Sequence, residues 1–136
     1  RFALAYMTTL IGGSLGALLL NVLSLTMGAS GAVFGLLGLT VMMYRNERIN
    51  IAQSSLGPVL LLMLFVSFRG GVSLGGHAGG FIAGLVLGAL YFGIDANTPP
   101  IFGRDQVKTD LATVAVAAAL FAGCLFAASR WIQALG

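Results

Sequence analysis

Charged side chains are scarce in this sequence: Lys and Arg number 7 and Asp and Glu number 4, together 8% of 136 residues. Soluble domains carry about 25% charged residues, so this composition excludes a water-soluble globular protein. The charges leave long uncharged stretches, and about 20 apolar residues are enough to cross a bilayer as a helix. The net charge of +3 gathers into no basic stripe, so no nucleic-acid partner is expected.

Residues that bind metals or form disulfides are equally scarce. The sequence has a single cysteine, Cys124, and a single histidine, His77, which excludes an internal disulfide and a cysteine metal cluster. A zinc protease would need an H-E-x-x-H helix, which is absent. An aspartyl protease would need two membrane aspartates, and the predicted spans contain none. We therefore expect no metal and no other cofactor.

The uncharged stretches predict an all-α fold, a polytopic bundle of about five transmembrane helices. The predicted helices cover residues 2–23, 30–44, 51–68, 77–93 and 111–132. Pro58 lies early enough in the third helix to kink it or to be accommodated by neighbouring helices. We expect residues 1–136 to form one membrane domain, in which residues 94–110 are a cytoplasmic linker.

The positions of Lys and Arg favour one orientation. If the N-terminus is cytoplasmic, five of the seven basic residues lie on the cytoplasmic side, in agreement with the positive-inside rule. The loop before residue 30 and the turn before residue 77 then face outward. We expect a multi-pass protein of the plasma (inner) membrane.

Glycine is abundant, with 20 residues, and its spacing is helical. Gly31 and Gly35 repeat in the second predicted helix, and Gly80 and Gly84 repeat in the fourth. Small residues at this spacing let helix backbones approach closely in lipid, which gives helices no hydrophobic drive to associate. We predict that these four glycines are helix-packing positions.

His77 is the one histidine of the sequence, and it lies inside a predicted span. An ionisable group in a membrane segment is costly to keep there and is a functional candidate by default. At about 100° per residue, His77 lies on the same helix face as Gly80 and Gly84, so it is expected to point into the bundle. The alternative is a neutral histidine that hydrogen-bonds a carbonyl at a helix end.

Ser30 is predicted to lie below the membrane surface. About 15 residues, or roughly 22 Å of helix, separate Ser30 from Arg45, whereas the hydrocarbon core is about 30 Å thick. Unpaired amides at that depth are tolerated if they line a water-filled cavity. His77 is expected at a similar level, and a hydroxyl beside an imidazole is a base-activated nucleophile. No carboxylate lies in the predicted spans, so the pair would act as a dyad. The alternative is that Ser30 is a packing residue, as most serines in membrane helices are.

Two segments resemble the rhomboid family of intramembrane serine proteases. Residues 28–31 read G-A-S-G, similar to the family's G-x-S-G nucleophile segment, and residues 77–84 read H-A-G-G-F-I-A-G, similar to its H-x-x-G-x-x-x-G helix. The resemblance covers residues 1–93. It implies that Ser30 is the nucleophile and His77 the general base.

The resemblance also implies supporting roles. Gly28 would keep the approach to Ser30 open, and the amide of Ser30 would donate to the oxyanion. Phe34 would place an aromatic ring against His77, and glycines such as Gly80 would let the two helices touch.

The chain departs from the family pattern before its first helix. Rhomboids normally have two further helices there, one with an H-x-x-x-N motif that supplies oxyanion donors. We therefore expect a C-terminal portion of the rhomboid core over residues 1–93, followed by an additional transmembrane helix over residues 111–132. Loss of one oxyanion donor costs about 2.7–4 kcal/mol in the transition state, so this chain alone is expected to have little activity.

The predicted function is that of an intramembrane serine endopeptidase. It would cleave transmembrane segments of other membrane proteins, its partners being these substrates and the lipid bilayer, through a site open to the outer side. A first alternative is a rhomboid-like pseudoprotease that binds membrane clients without cutting them. A second is a small transporter or channel subunit, but the third and fifth predicted helices carry few polar groups. The oligomeric state is not predicted.

Overall fold

Five α-helices contain most of the residues that the structure describes. The computed structural model describes residues 1–20, 29–68, 73–94, 97, 99–101 and 105–135. Its helices are α1 Phe2–Leu20, α2 Ser30–Asn46, α3 Leu56–Ser67, α4 Leu74–Phe92 and α5 Gln106–Leu135. The described ranges contain no β-strand. The predicted all-α bundle is therefore confirmed.

Within the described ranges, three helices, α1, α4 and α5, are long and apolar enough to cross a membrane. The other two are shorter, with 17 residues in α2 and 12 in α3. At a rise of 1.5 Å per residue, α2 spans about 26 Å and α3 about 18 Å, less than the roughly 30 Å of a hydrocarbon core. The helix that begins at Ser30 is thus too short to reach both surfaces of a bilayer.

Helices α1, α2 and α4 form the centre of the bundle, because glycines let their backbones touch. A Cβ added at Gly13 would lie 3.0 Å from both Gly31 Cα and Gly76 O, so α1, α2 and α4 meet at one point. Further along, Asn46 Nδ2 donates to Phe92 O at 2.6 Å and ties the C-terminal ends of α2 and α4 together. These two helices therefore run parallel from the three-helix junction.

Helices α3 and α5 lie outside this centre. The buried residues of α3 are Leu56 and Ser67, so most of its surface is open. Helix α5 packs along α1, where Trp131 Nε1 donates to Leu18 O at 3.2 Å and Cys124 Sγ lies 3.7 Å from Ile11 O.

The third predicted helix is interrupted, so its predicted range of residues 51–68 is wrong at the start. A short 3₁₀ turn, Ile51–Gln53, precedes α3. The break occurs because Ser54 is extended, at φ −91° and ψ 168°, and its Oγ accepts from Leu56 N at 3.3 Å. Pro58 is the third residue of α3, in the first turn, where its missing N–H breaks no helical hydrogen bond.

The fourth and fifth helices both begin earlier than predicted. Ser73 Oγ accepts from Gly76 N at 3.0 Å, and this cap starts α4 at Leu74 instead of residue 77. Asp105 Oδ1 likewise accepts from Lys108 N at 3.2 Å, and α5 starts at Gln106 instead of residue 111. Side-chain caps therefore extend both helices by about one turn. Helix α2 ends at Asn46 instead of residue 44, and the predicted end of the first helix, residues 21–23, lies outside the described residues.

Candidate active site

The first turn of α4 holds His77 in a fixed place. Ser73 caps this turn with its side chain, and the His77 amide donates to Ser73 O at 3.1 Å. The His77 side chain is buried, with 4% of its surface exposed. The imidazole thus points into the bundle from a capped and buried helix end.

Two side chains from other helices contact the imidazole. The ring of Phe34, from α2, stacks on the His77 ring with a centroid distance of 3.9 Å and an interplanar angle of 15°. At the ring edge, Ser67 Oγ, from α3, lies 2.8 Å from His77 Nδ1. The imidazole is therefore held on one face by an aromatic ring and at one nitrogen by a hydroxyl.

The first turn of α2 has no side-chain cap, whereas that of α4 is capped by Ser73. Ser30 is the first residue of α2 and is exposed, and Ala29 before it provides no side-chain cap. The first helical hydrogen bond runs from Val33 N to Ala29 O at 3.1 Å. The amides of Ser30, Gly31 and Ala32 consequently have no acceptor within the helix.

Close backbone contact brings these two helix starts together. A Cβ at Gly80 would overlap the carbonyl of Gly31, and one at Gly84 would overlap the carbonyl of Gly35. All four glycines are buried. Ser30 directly precedes Gly31 in the chain, one helical turn before Phe34, so the hydroxyl-bearing end of α2 lies next to the start of α4.

The hydrogen bond that the structure shows for the His77 imidazole goes to Ser67. Across the described residues, none joins Ser30 Oγ to the imidazole. In proteins without bound substrate, catalytic hydrogen bonds are often long and tighten when the reacting complex forms. Gly28, for which the sequence predicts a supporting role, lies outside the described residues.

A cavity of about 320 Å³ opens beside the imidazole, between α3 and the pair α2 and α4. Its walls are mostly apolar and include Phe34, Met63 and Phe81, and its polar side chains are Ser67 and His77. Such a surface suits apolar side chains and presents few polar groups that could orient them. No group of three or more His, Cys, Asp or Glu residues that could hold a metal ion occurs in the part of the chain that the structure describes.

A family model of the rhomboid domain matches residues 1–94, which include α1 to α4 and both helix starts. The chain belongs to the rhomboid family. With its three long apolar helices, it is an integral membrane protein. Comparison with curated proteins and with solved structures gave no match.

Ser67 of this rhomboid lies in neither of the two motifs, so the motifs do not predict its place beside His77. The signal was present, because Ser67 is the one hydrogen-bonding side chain in α3, whose other residues are apolar or glycine. It ends that helix, ten positions before His77 in the sequence. A lone polar residue at that place in an apolar helix is a candidate partner for a buried polar group.

Proposed function

We propose that this rhomboid is an intramembrane serine endopeptidase in which Ser30 is the nucleophile and His77 the general base. The observation that carries the proposal is the junction of two unlike helix starts. One presents an exposed hydroxyl and amides that have no acceptor within the helix, and the other presents a buried imidazole stacked on Phe34, which lies one helical turn after Ser30 in α2. A base beside a hydroxyl with amides nearby is the arrangement that acyl transfer needs.

In the proposed reaction, Ser30 Oγ attacks the carbonyl carbon of the scissile peptide bond while its proton passes to the imidazole of His77. The negative charge that develops on the carbonyl oxygen is stabilised by amides at the start of α2, including that of Ser30. The imidazolium then donates its proton to the leaving amine, and the C–N bond breaks. Water, deprotonated by the same imidazole, hydrolyses the acyl-enzyme and regenerates Ser30.

The proposed substrates are transmembrane segments of other membrane proteins. The cavity beside His77 has mostly apolar walls, which suit the side chains of a membrane helix that has partly unwound. The short α2 supports cleavage just below one surface. If the charged C-terminal end of α2 lies at one surface of the bilayer, a helix of about 26 Å leaves its first turn a few Å below the other surface. The orientation that the basic residues favour puts this site on the outer side of the plasma (inner) membrane.

The proposal is tested by labelling the whole protein in membranes with a fluorophosphonate probe. We expect Ser30 to be labelled, Ser30→Ala to abolish labelling, and His77→Ala to slow it by about 10³-fold or more. Ser14→Ala is the matched control, because the Ser14 hydroxyl is exposed and hydrogen-bonds only within α1, to Leu10 O at 3.0 Å.

Labelling that persists in Ser30→Ala would contradict the assignment of the nucleophile. A wild-type protein that binds a transmembrane client, leaves it intact and does not react with the probe would instead be a rhomboid-like pseudoprotease.

A further inference from the structure

The hydroxyl of Ser67 lies between two groups of different chemistry. Ser67 Oγ is 2.8 Å from Met63 O, one turn earlier in α3, and 2.8 Å from His77 Nδ1 in α4. Ser67 is buried, with 5% of its surface exposed. It is one of two buried residues in a helix that otherwise packs loosely.

The two contacts favour one arrangement of the hydrogens. A hydroxyl has one hydrogen to donate, and a carbonyl oxygen can only accept. Both contacts are hydrogen bonds at once if Ser67 donates to Met63 O and accepts from a hydrogen on His77 Nδ1. A neutral imidazole carries one N–H, so the lone pair then lies on Nε2.

We infer that Ser67 is a positioning residue that fixes the tautomer of His77, leaving Nε2 as the basic nitrogen. The inference rests on the proposed function for its catalytic consequence. Serine here has the orienting role that a carboxylate has in a Ser-His-Asp triad, and it keeps accepting from Nδ1–H when the imidazole gains a proton.

The stacked ring of Phe34 cannot fix the tautomer. A 180° rotation of the imidazole about the Cβ–Cγ bond of His77 keeps the ring in the same plane, so the stack at 3.9 Å is compatible with either ring orientation. The hydroxyl of Ser67 distinguishes the two, because the turn would put a carbon in the place of Nδ1. Phe34 thus restrains the plane of the ring, and Ser67 restrains its orientation in that plane.

The test combines a tautomer measurement with a rate measurement on the whole protein. ¹⁵N-labelled histidine reports which nitrogen of the neutral His77 ring carries hydrogen, and the signal is assigned by its loss in His77→Ala. We expect Nδ1–H in the wild type, a large Nε2–H population in Ser67→Ala, and Nδ1–H restored in Ser67→Thr, which keeps the hydroxyl.

The rate of fluorophosphonate labelling should follow the tautomer. We expect a decrease of about 10-fold to 100-fold in Ser67→Ala, from the loss of one hydrogen bond to a group that becomes charged. Ser67→Thr should stay within about threefold of the wild type. The control Ser14→Ala removes a hydroxyl that donates to the carbonyl four residues earlier, as the Ser67 hydroxyl does, but Ser14 is exposed and its hydroxyl makes no hydrogen bond to the imidazole among the described residues. It should change neither measurement.

Nε2–H in the wild type, or an unchanged tautomer in Ser67→Ala, would overturn the role of Ser67. So would a rate that falls equally in Ser67→Ala and Ser67→Thr, because that pattern indicates lost packing. These outcomes are separate from failure of the proposed function, which would show as an unreactive wild type whatever its tautomer.

Discussion

The N-termini of α4 and α2 meet in the bundle, yet their first turns differ in capping and exposure. At the start of α4, Ser73 caps the helix and His77 is buried against Phe34. At the start of α2, Ala29 provides no cap and Ser30 is exposed. One helix N-terminus of the site is therefore capped and buried, whereas the other has no side-chain cap and begins with an exposed residue.

The difference matches the two chemical roles that we propose. A general base works best when its orientation is fixed before the substrate arrives, and a capped, buried turn provides that. Amides that stabilise a developing oxyanion must be unoccupied in the resting protein, and the first turn of α2 supplies amides that have no acceptor within the helix and no side-chain cap from Ala29. Omission of a cap costs a helix about 1 kcal/mol, a loss that the close packing of α2 on α4 can offset.

Replacing Gly80 with alanine should separate α2 from α4 and have the largest effect on stability and on labelling. The new Cβ would overlap the carbonyl of Gly31, and because backbone atoms cannot move aside alone, α2 and α4 would have to separate. We expect the free energy of unfolding to fall by about 3 kcal/mol, the upper end of the usual cost of overpacking. Thermal unfolding in detergent measures this loss, and fluorophosphonate labelling of Ser30 should disappear with it.

Gly123→Ala is the matched control for this substitution. Its Cβ would meet the far end of the Leu15 side chain at 3.2 Å, which can rotate away. Stability should be unchanged or slightly higher, because alanine is favoured over glycine inside a helix by about 1 kcal/mol. Equal destabilisation by both variants would show that the Gly80 contact is not special.

The sequence alone was sufficient to predict the helices and their order. Charge-free stretches and glycine spacing depend on composition and period, which are local properties, and the all-α bundle follows from them. The helix ends were less predictable because they depend on single side chains. Ser73 and Asp105 each add about one turn by capping, and Ser54 interrupts a run that reads as continuous.

The candidate site was predictable only where residues belong to a motif. Ser30 and His77 stand in segments that resemble rhomboid motifs, and their catalytic roles remain predictions. Ser67 belongs to no motif, and its contact with His77 depends on how α3 ends relative to α4. That relation is tertiary, so periodicity within α3 does not reveal it.

Changing Phe34 tests how far the reactivity of the site depends on the stacking of Phe34 on His77. Phe34→Leu keeps an apolar side chain but removes the ring 3.9 Å from the imidazole. An aromatic pair contributes about 0.5–1.5 kcal/mol beyond its buried area, so we expect fluorophosphonate labelling to slow by up to about tenfold. Phe34→Tyr keeps the ring and should label at nearly the wild-type rate. Equal rates in the two variants would mean that the stack does not orient His77.

Removing the cap of α4 and adding a capping residue before α2 should have the smallest effects on the free energy of unfolding. Ser73→Ala removes the side chain that accepts from Gly76 N, so the free energy of unfolding should fall by about 1 kcal/mol. The converse substitution, Ala29→Ser, should not stabilise α2. Residue 29 lies at φ −74° and ψ 8°, whereas the capping Ser73 is extended at ψ 99°, and capping requires the extended backbone. Thermal unfolding of both variants measures these changes. A gain in stability from Ala29→Ser, together with slower labelling of Ser30, would contradict this expectation. It would mean that residue 29 can become extended and that its side chain can then accept from the amides of the first turn of α2.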